Sequence, residues 1–333
     1  MNKRILLLNI VLCVVCYLVI SLIGWGIING FSLKREFQGR GYRYKNGGSF
    51  FGDLGRKAMS PDQSKIVFAS PAHGCGDICL TNTDGSDLIR LTDKPEFEGE
   101  PSFSADGGRI VFMYERNNGP GEIWIMNSDG TKQTPLTFNH YEDKKSRIYY
   151  IDYMPDFTVD NRNVIFQRTI IRKLFGGNIS HGTYMINLNS KQIDELTEKD
   201  TEFWIYASGS RDGSKMIFKE QYVDRYWIKY RNGNMIKFAD DILQPIFTSD
   251  GKRIVFTSDA IIPFAYELYV QNMSDYKPKR LTNLGKYISI RAFSLSFDCS
   301  KIIFVAKPKG DRERKIYTVN IDGTNLRAIG NNY

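Results

Sequence analysis

Pro101-Ser102-Phe103-Ser104-Ala105-Asp106-Gly107, followed by Ile110-Val111-Phe112, is the stretch on which the fold turns. It reads as a small or polar residue, an Asp, a turn, a basic residue (Arg109) and three apolar residues ending in Phe. The same figure recurs as Asp62…Ile66-Val67-Phe68, Asp160…Val164-Ile165-Phe166 and Asp212…Met216-Ile217-Phe218. It closes with Asp250…Ile254-Val255-Phe256 and Asp298…Ile302-Ile303-Phe304. In all six copies the triplet starts four residues after the Asp. The Asp residues are 44, 54, 52, 38 and 48 apart. Periods of about 40–50 residues with several short strands each are the mark of propeller blades.

Outward from the triplet the unit keeps its pattern. Three residues before the Asp stands an apolar position: Met59, Phe103, Phe157, Phe247 and Leu295, with Gly209 the exception. A second strand follows, often closed by Asn: Ile78 to Asn82, Ile123 to Asn127, Thr183 to Asn187, Leu268 to Asn272 and Ile316 to Asn320. Tyr226 to Tyr230 is the deviant copy. Asp84-Gly85, Asp129-Gly130 and Asp322-Gly323 supply the φ > 0 positions of tight turns. Leu91-Thr92, Leu136-Thr137, Leu196-Thr197 and Leu281-Thr282 end four of the units. Consecutive apolar residues suit a strand buried on both faces. No amphipathic helix separates the strands, so an α/β reading fails. The expected fold is all-β: a six-bladed β-propeller of four-stranded antiparallel blades over residues 51–333.

The unit from Pro101 to Gly107, through Ile110-Val111-Phe112, Glu122 to Gly130 and Leu136-Thr137, resembles the TolB-type WD-like propeller repeat. Pro245 to Gly251 with Ile254 to Phe256 resembles it nearly as well. The likeness extends over roughly residues 50–330 and rests on turn and core positions, so it implies a fold more than a function. TolB carries an α/β domain before its propeller. Here about 25 residues lie between an apolar segment and the first repeat, so the likeness implies no Tol-system role.

That apolar segment runs from Ile5 to Ile28, 24 residues without a charge. A helix of that length spans roughly 36 Å, enough for a bilayer core of about 30 Å. The expected order is a short tail (1–4), one N-terminal transmembrane helix (5–28), a basic stalk (29–50) and the propeller. A cleaved secretory signal is the competing reading. Its cleavage pattern at Gly24-Trp25-Gly26 is poor, and bulky Leu12 and Val15 before Cys13 and Cys16 disfavour a lipoprotein. Orientation sets two arguments against each other. Lys34, Arg35, Arg40, Arg43 and Lys45 after the segment outnumber Lys3 and Arg4 before it, which favours a cytoplasmic propeller. The short N-terminus and the family likeness favour export, and the extracytoplasmic side is the expectation.

The net charge is +8, and residues 1–45 carry +6 of it. Basic residues that flank an apolar segment instead of coating the folded domain exclude nucleic acid as a partner. Chemistry is sparse. There are three histidines, His73, His140 and His181, and no G-x-S-x-G elbow. Prolyl-peptidase relatives pair a similar propeller with a hydrolase domain, for which no residues remain. Some polysaccharide lyases resemble this propeller and hold a metal with clustered His and carboxylates, a poor fit to scattered histidines. Cys75 and Cys79 lack a second ligand pair for zinc and are read as a loop Cys and a buried strand Cys, with a local disulfide as the alternative. No cofactor, metal or catalytic residue is expected.

Topology narrows the search for a working surface. In a meander the loops joining the second strand to the third, and blade to blade, share one rim of the ring, and the Asp turns share the other. The histidines fall on the first rim, with the insertions Phe138 to Tyr153 and Arg168 to Gly182. So do exposed-looking aromatics: Phe97, Tyr141, Tyr149, Tyr150, Trp204, Tyr222, Tyr226, Phe264 and Tyr287. Tyr, Trp and Arg favour interface centres, so this loop-rich rim is expected to bind a protein or peptide partner. Six residues before each Asp stand Arg56, Glu100, Met154, Tyr206, Gln244 and Ala292, where the innermost strands enter the channel. Glu100, Tyr206, Gln244 and Arg291 are expected at the channel mouth, with His140, Tyr149, Tyr150 and Trp204 around them. The alternative is a carbohydrate-active lyase or hydrolase with its site at the same mouth.

Overall fold

The computed structural model describes residues 54–70, 76–115, 120–139, 148–172, 178–196, 204–210, 214–220, 225–259, 266–275, 277–284, 290, 292–306 and 315–329. The expected anchor and stalk, His140 and Arg291 lie outside the described residues. No helix among the described residues is long and apolar enough to cross a membrane.

Six antiparallel sheets follow one another along the chain. Blade 1 holds β1 (Lys65–Ser70), β2 (Asp77–Asn82) and β3 (Ile89–Arg90). Its innermost strand is marked by the bridge Met59–Ile66 and by Val67 N–H donating to Ala58 O at 2.8 Å. Blade 2 is β4 (Phe97–Phe103), β5 (Arg109–Glu115), β6 (Gly121–Asn127) and β7 (Thr134–Pro135). Blade 3 is β8 (Ile148–Phe157), β9 (Asn163–Arg172), β10 (Asn178–Asn187) and β11 (Ile193–Glu195). Blade 4 is β12 (Trp204–Gly209), β13 (Lys215–Glu220), β14 (Arg225–Tyr230) and β15 (Met235–Asp240). Blade 5 is β16 (Ile242–Phe247), β17 (Arg253–Ser258), β18 (Glu267–Asn272) and β19 (Pro278–Arg280). Blade 6 is β20 (Ala292–Leu295), β21 (Lys301–Ala306), β22 (Lys315–Asn320) and β23 (Arg327–Ile329). The six-bladed, four-stranded propeller read from the repeats is the fold, and the deviant copy Tyr226 to Tyr230 is the third strand of blade 4.

The triplets explain how blades pack. Side chains alternate between the two faces of a strand. Ile110 and Phe112 therefore join Val67, Ile78 and Leu80 of blade 1, while Val111 between them joins Phe157, Val164 and Phe166 of blade 3. Ile254 and Phe256 face blade 4, and Val255 faces blade 6. Ile302 and Phe304 face blade 5, and Ile303 faces blade 1. Phe68, Phe112, Phe166, Phe256 and Phe304 are thus the large residues turned to the preceding blade.

The repeated Asp builds the first turn of blades 1, 2, 3, 5 and 6. Asp106 Oδ1 accepts the Ser104 hydroxyl at 2.5 Å and the Gly108 N–H at 3.0 Å. Asp62 with Ser60, Asp160 with Thr158, Asp250 with Thr248 and Asp298 with Ser296 repeat it. The next residue is left-handed in each: Gln63, Gly107, Asn161, Gly251 and Cys299. Where that residue has a side chain, it ties two blades. Asn161 Oδ1 accepts Ala105 N–H at 2.7 Å, Cys299 Sγ accepts Ser249 N–H at 3.1 Å and Gln63 Nε2 donates to Asp298 at 2.8 Å. The Ser60 hydroxyl and the Ser64 amide hold the Asp62 carboxyl down at about 2. Burial opposes the shift at Asp298, but the Ser296 hydroxyl and the Ser300 amide outweigh it, and it too lies at about 2. These turns therefore stabilise the fold above the ordinary value of 3.8 and lose that contribution as pH falls towards 2.

The Leu-Thr pairs finish the blades. Leu91, Leu136 and Leu281 donate N–H to Ile78 O, Ile123 O and Leu268 O. The following Thr92, Thr137 and Thr282 hydroxyls accept N–H of the same three residues at 2.8, 2.9 and 3.0 Å.

Among the described residues each blade is made of consecutive strands, and no strand is exchanged where blade 6 meets blade 1. Met59, Ile66 and Phe68 close the ring against Ile303, Val305 and Ile316. Ser294, fully buried, accepts Ala58 N–H at 2.9 Å and donates to Arg56 O at 2.8 Å. Ser294→Ala removes the acceptor of the Ala58 N–H, a main-chain donor in a fully buried residue. Urea unfolding is expected to show a loss of about 1–3 kcal/mol, the cost of such an orphaned group.

Candidate functional site at the loop-rich rim

Blade 3 differs from the others. β8, β9 and β10 are ten residues long, where β1, β17 and β21 have six. The extra residues lie at the end away from the Asp160 turn, and at about 3.3 Å per residue they raise a three-stranded ledge roughly 13 Å tall. The two insertions read as loops are corrected here: Ile148 to Tyr153, Arg168 to Arg172 and Asn178 to Gly182 are strand. The physical reason is composition. Ile-Tyr-Tyr-Ile-Asp-Tyr pairs with Gln-Arg-Thr-Ile-Ile-Arg, and β-branched and aromatic residues favour strands.

A charged network locks the base of the ledge. Arg168 Nε and Nη2 donate to the two oxygens of Asp152 at 2.7 and 2.8 Å. Asn139 Nδ2 adds 2.9 Å to Asp152 Oδ2 and 2.7 Å to Gly121 O. Asn139 N–H reaches Glu122 Oε1 at 3.3 Å, and Trp124 Nε1 donates to Glu122 Oε2 at 3.1 Å. Gly121 is required at this crossing, since a Cβ there would meet Asp152 O at 2.5 Å. The guanidinium carbon of Arg168 lies 4.8 Å from the Tyr150 ring centroid and 5.2 Å from those of Phe166 and Tyr184. Asp152 is fully buried, so its charge depends on this pairing. Above the network the surface is apolar: Phe138 is 63% exposed, Ile148 38% and Tyr150 37%.

The channel side is built from bulges. β4, β8, β12 and β16 each slip register near the position six residues before the Asp. Glu100, Met154 and Gln244 hold left-handed φ of 54°, 53° and 53° there. Such bulges re-aim side chains and concentrate beside working sites. Glu100 Oε2 accepts Met154 N–H at 2.5 Å, tying blade 2 to blade 3. Burial, with the charge of Glu100 beside it, pushes the Glu115 carboxyl up to about 7. Lys57 of blade 1 reaches blades 3 and 6. It donates to Phe157 O at 2.7 Å, pairs with Asp156 at 3.0 Å and lies over the Phe297 ring at 5.6 Å.

The structure places Glu100 and Gln244 at equivalent bulges, Tyr206 at the register slip of β12, and Tyr149 and Tyr150 on the ledge. Trp204 and Tyr206 have strand backbone in β12, not the loop setting expected of Trp204. Tyr226 is a core residue of β14, 4% exposed, and not a rim aromatic. Cys79 is free and buried; burial and the Asp77 charge push its thiol up to about 12, which makes it inert. Among the described residues no three His, Cys, Asp or Glu side chains come together as a metal site. Arg168, Asp152, Asn139 and Phe138 were not singled out by the sequence. Arg168 and Asp152 carried one available signal: opposite charges inside two segments of strand-forming residues.

The sequence matches no family model and no curated protein. The fold is similar to TolB from Acinetobacter baumannii at 15% identity and TM-score 0.57, covering 79% of this chain and 63% of that one, less than two thirds of its length. An oligogalacturonate lyase in complex with manganese is similar at 13% identity and TM-score 0.55, covering 83% and 77%. The propeller domain of the trilobed protease from Pyrococcus furiosus, described as having an open velcro topology, is similar at 11% identity and TM-score 0.51, covering 82% and 80%. At these identities the likeness carries the fold alone, a TolB-like propeller.

Arg168→Ala strands the Asp152 carboxylate in the seam between blades 2 and 3. Chemical denaturation is expected to show a loss of about 3–5 kcal/mol, the cost of breaking a buried pair from one side.

Proposed function

We propose that this chain is a membrane-anchored, non-catalytic propeller that binds a protein or peptide partner through its loop-rich rim. The ledge of blade 3 carries the reading. Phe138, Ile148 and Tyr150 are exposed apolar surface standing on a rigid Arg168–Asp152–Asn139 network. Large aromatic side chains held in place lose little entropy on binding and supply most of the contact energy of an interface. The channel mouth beside it, with Glu100, Gln244 and the proposed Tyr206 and Arg291, would supply polar contacts at the rim of that interface.

A second reading is favoured by one observation. Glu115 at about 7 beside Glu100 is the kind of carboxyl pair that proton transfer uses. With the fold likeness to a lyase, this supports a carbohydrate-active enzyme at the channel mouth.

Cross-linked pull-down with the detergent-solubilised full chain separates the two. Phe138→Ala with Tyr150→Ala is expected to weaken partner capture by about 30-fold or more, equivalent to about 2 kcal/mol. Gly130→Ala, at a turn-rim position with φ of 84°, should cost stability and leave capture by the folded fraction intact. Capture lost with the turn-rim variant and untouched by the ledge variant sinks the binding face. Turnover of oligogalacturonate that disappears in Glu115→Gln favours the enzyme.

The Ile5 to Ile28 segment supports an uncleaved anchor with the propeller outside the cytoplasm. Protease added to intact spheroplasts should digest the propeller. Full protection would place it inside.

A further inference from the structure

Three seams of the ring can be compared residue by residue at the loop-rich rim. Each uses the acid that opens the third strand, the residue two past the Leu-Thr threonine, and the residue eight before the Asp of the next blade. Between blades 5 and 6 these are Glu267, Leu284 and Ile290. Between blades 2 and 3 they are Glu122, Asn139 and Asp152. Between blades 1 and 2 they are Asp77, Lys94 and Glu98.

The first two seams are satisfied. Glu267 accepts from Arg280 at 3.0 Å, from Leu284 N–H at 2.8 Å and from the Thr282 hydroxyl, and Ile290 is simply buried. Asp152 takes two donors from Arg168 and one from Asn139. The third seam is different. Glu98 is 0% exposed, and its N–H donates to Gly76 O at 3.0 Å as Ile290 N–H does to Tyr266 O. Neither carboxyl oxygen of Glu98 has a well-formed hydrogen bond, the Thr92 hydroxyl being the one weak donor near it, and Asp77 Oδ2 beside it has none. The position that holds Arg168 in blade 3 holds Tyr114 here, opposite Glu98 in the ladder. The Lys94 ammonium sits over rings, 4.0 Å from the Trp124 centroid and 5.1 Å from Tyr114.

A buried carboxyl with too few donors to offset its desolvation is tolerated neutral and disfavoured when charged. We propose that Glu98 is a proton-operated latch: protonated, it keeps the rim end of the seam between blades 1 and 2 shut, and ionised, it opens that seam. The groups facing it are Asp77 of β2, to which Arg90 of β3 is bound at 3.0 Å, Asp93 and Lys94 of the link into β4, and Tyr114 of β5. Burial pushes the Glu98 carboxyl up to about 7; Thr92 and the Lys94 charge pull against it, and the Asp77 and Asp93 charges add to it. The ordinary value is 4.5, so the closed seam holds its proton more tightly than the open one. Closure is therefore strongest below about pH 4.5. It weakens about tenfold per unit as pH rises to 7, then levels off.

Native-state hydrogen exchange of the full chain, corrected for intrinsic rates and followed from pH 5 to 8, tests this without a partner. Its outcome is therefore independent of the binding reading. The opening constant for Asp77–Asn82 and Phe97–Phe103 is expected to rise on the order of a hundredfold between pH 5 and 7.5. That of Lys301–Ala306, in blade 6, should stay flat. Glu98→Leu installs the apolar type found at Leu54, Ile242 and Ile290. It should flatten the profile and hold the seam shut, as should Glu98→Gln if the Leu variant folds poorly. A flat wild-type profile, or a rise that survives in both variants, overturns the latch.

Discussion

The ring depends on one constraint: the second strand of every blade is buried on both faces. A sheet that packs on one side can alternate apolar and polar residues, but a blade wedged between two neighbours cannot. Ile110-Val111-Phe112 is continuous because Ile110 and Phe112 fill one seam and Val111 the next. Everything else in the repeat serves that arrangement. The Asp turns set where each strand starts, the Leu-Thr pairs fix where the blade ends, and left-handed Gln63, Asn161 and Cys299 tie neighbouring turns together. Among the described residues blade 6 and blade 1 are joined by the same side-chain packing plus Ser294.

This is why the fold was legible and the site much less so. Core positions repeat, and a repeat read six times in one register leaves little choice of architecture. A working surface is where the repeat is broken, and a break carries no register. Ile148 to Tyr153 fell between two repeats and read as an insertion, yet its Ile and Tyr residues extend β8 into the ledge. The positions six before the Asp coincide with the bulges, because a bulge sits at a fixed distance from the turn, and Glu100 and Gln244 stand there. Arg168 was not, since its meaning comes from Asp152, 16 residues away. Tyr226 was misjudged as a rim aromatic because the spacing of blade 4 is irregular, and it belongs to the core of β14.

The seams show how one backbone solution accommodates different chemistry. Ile290, Asp152 and Glu98 occupy one position in three blades, and each is buried. An apolar residue there needs nothing. Asp152 needs Arg168, and obtains it from the strand opposite, at the cost of making the base of the ledge rigid. Glu98 faces Tyr114 at that place and is left to manage its charge by holding a proton. Stability and responsiveness are thus set against each other seam by seam, with the same main-chain hydrogen bonds beneath.

The two rims consequently answer to pH in opposite senses. The Asp62 and Asp298 carboxylates are surrounded by hydroxyl and amide donors, so they must be charged to do their work. Their contribution falls away only as pH drops from about 4 towards 2. At Glu98 and Glu115 burial and neighbouring carboxylates outweigh what favours the charge, so each rests neutral, with a value of about 7. Their contribution is lost as pH climbs from the ordinary 4.5 towards 7. By these four groups the ring is tightest in mildly acidic solution, where Asp62 and Asp298 are ionised and Glu98 and Glu115 still protonated. Raising the pH to neutral relaxes only the rim that carries the proposed binding face and leaves the turns that hold the blades in register untouched.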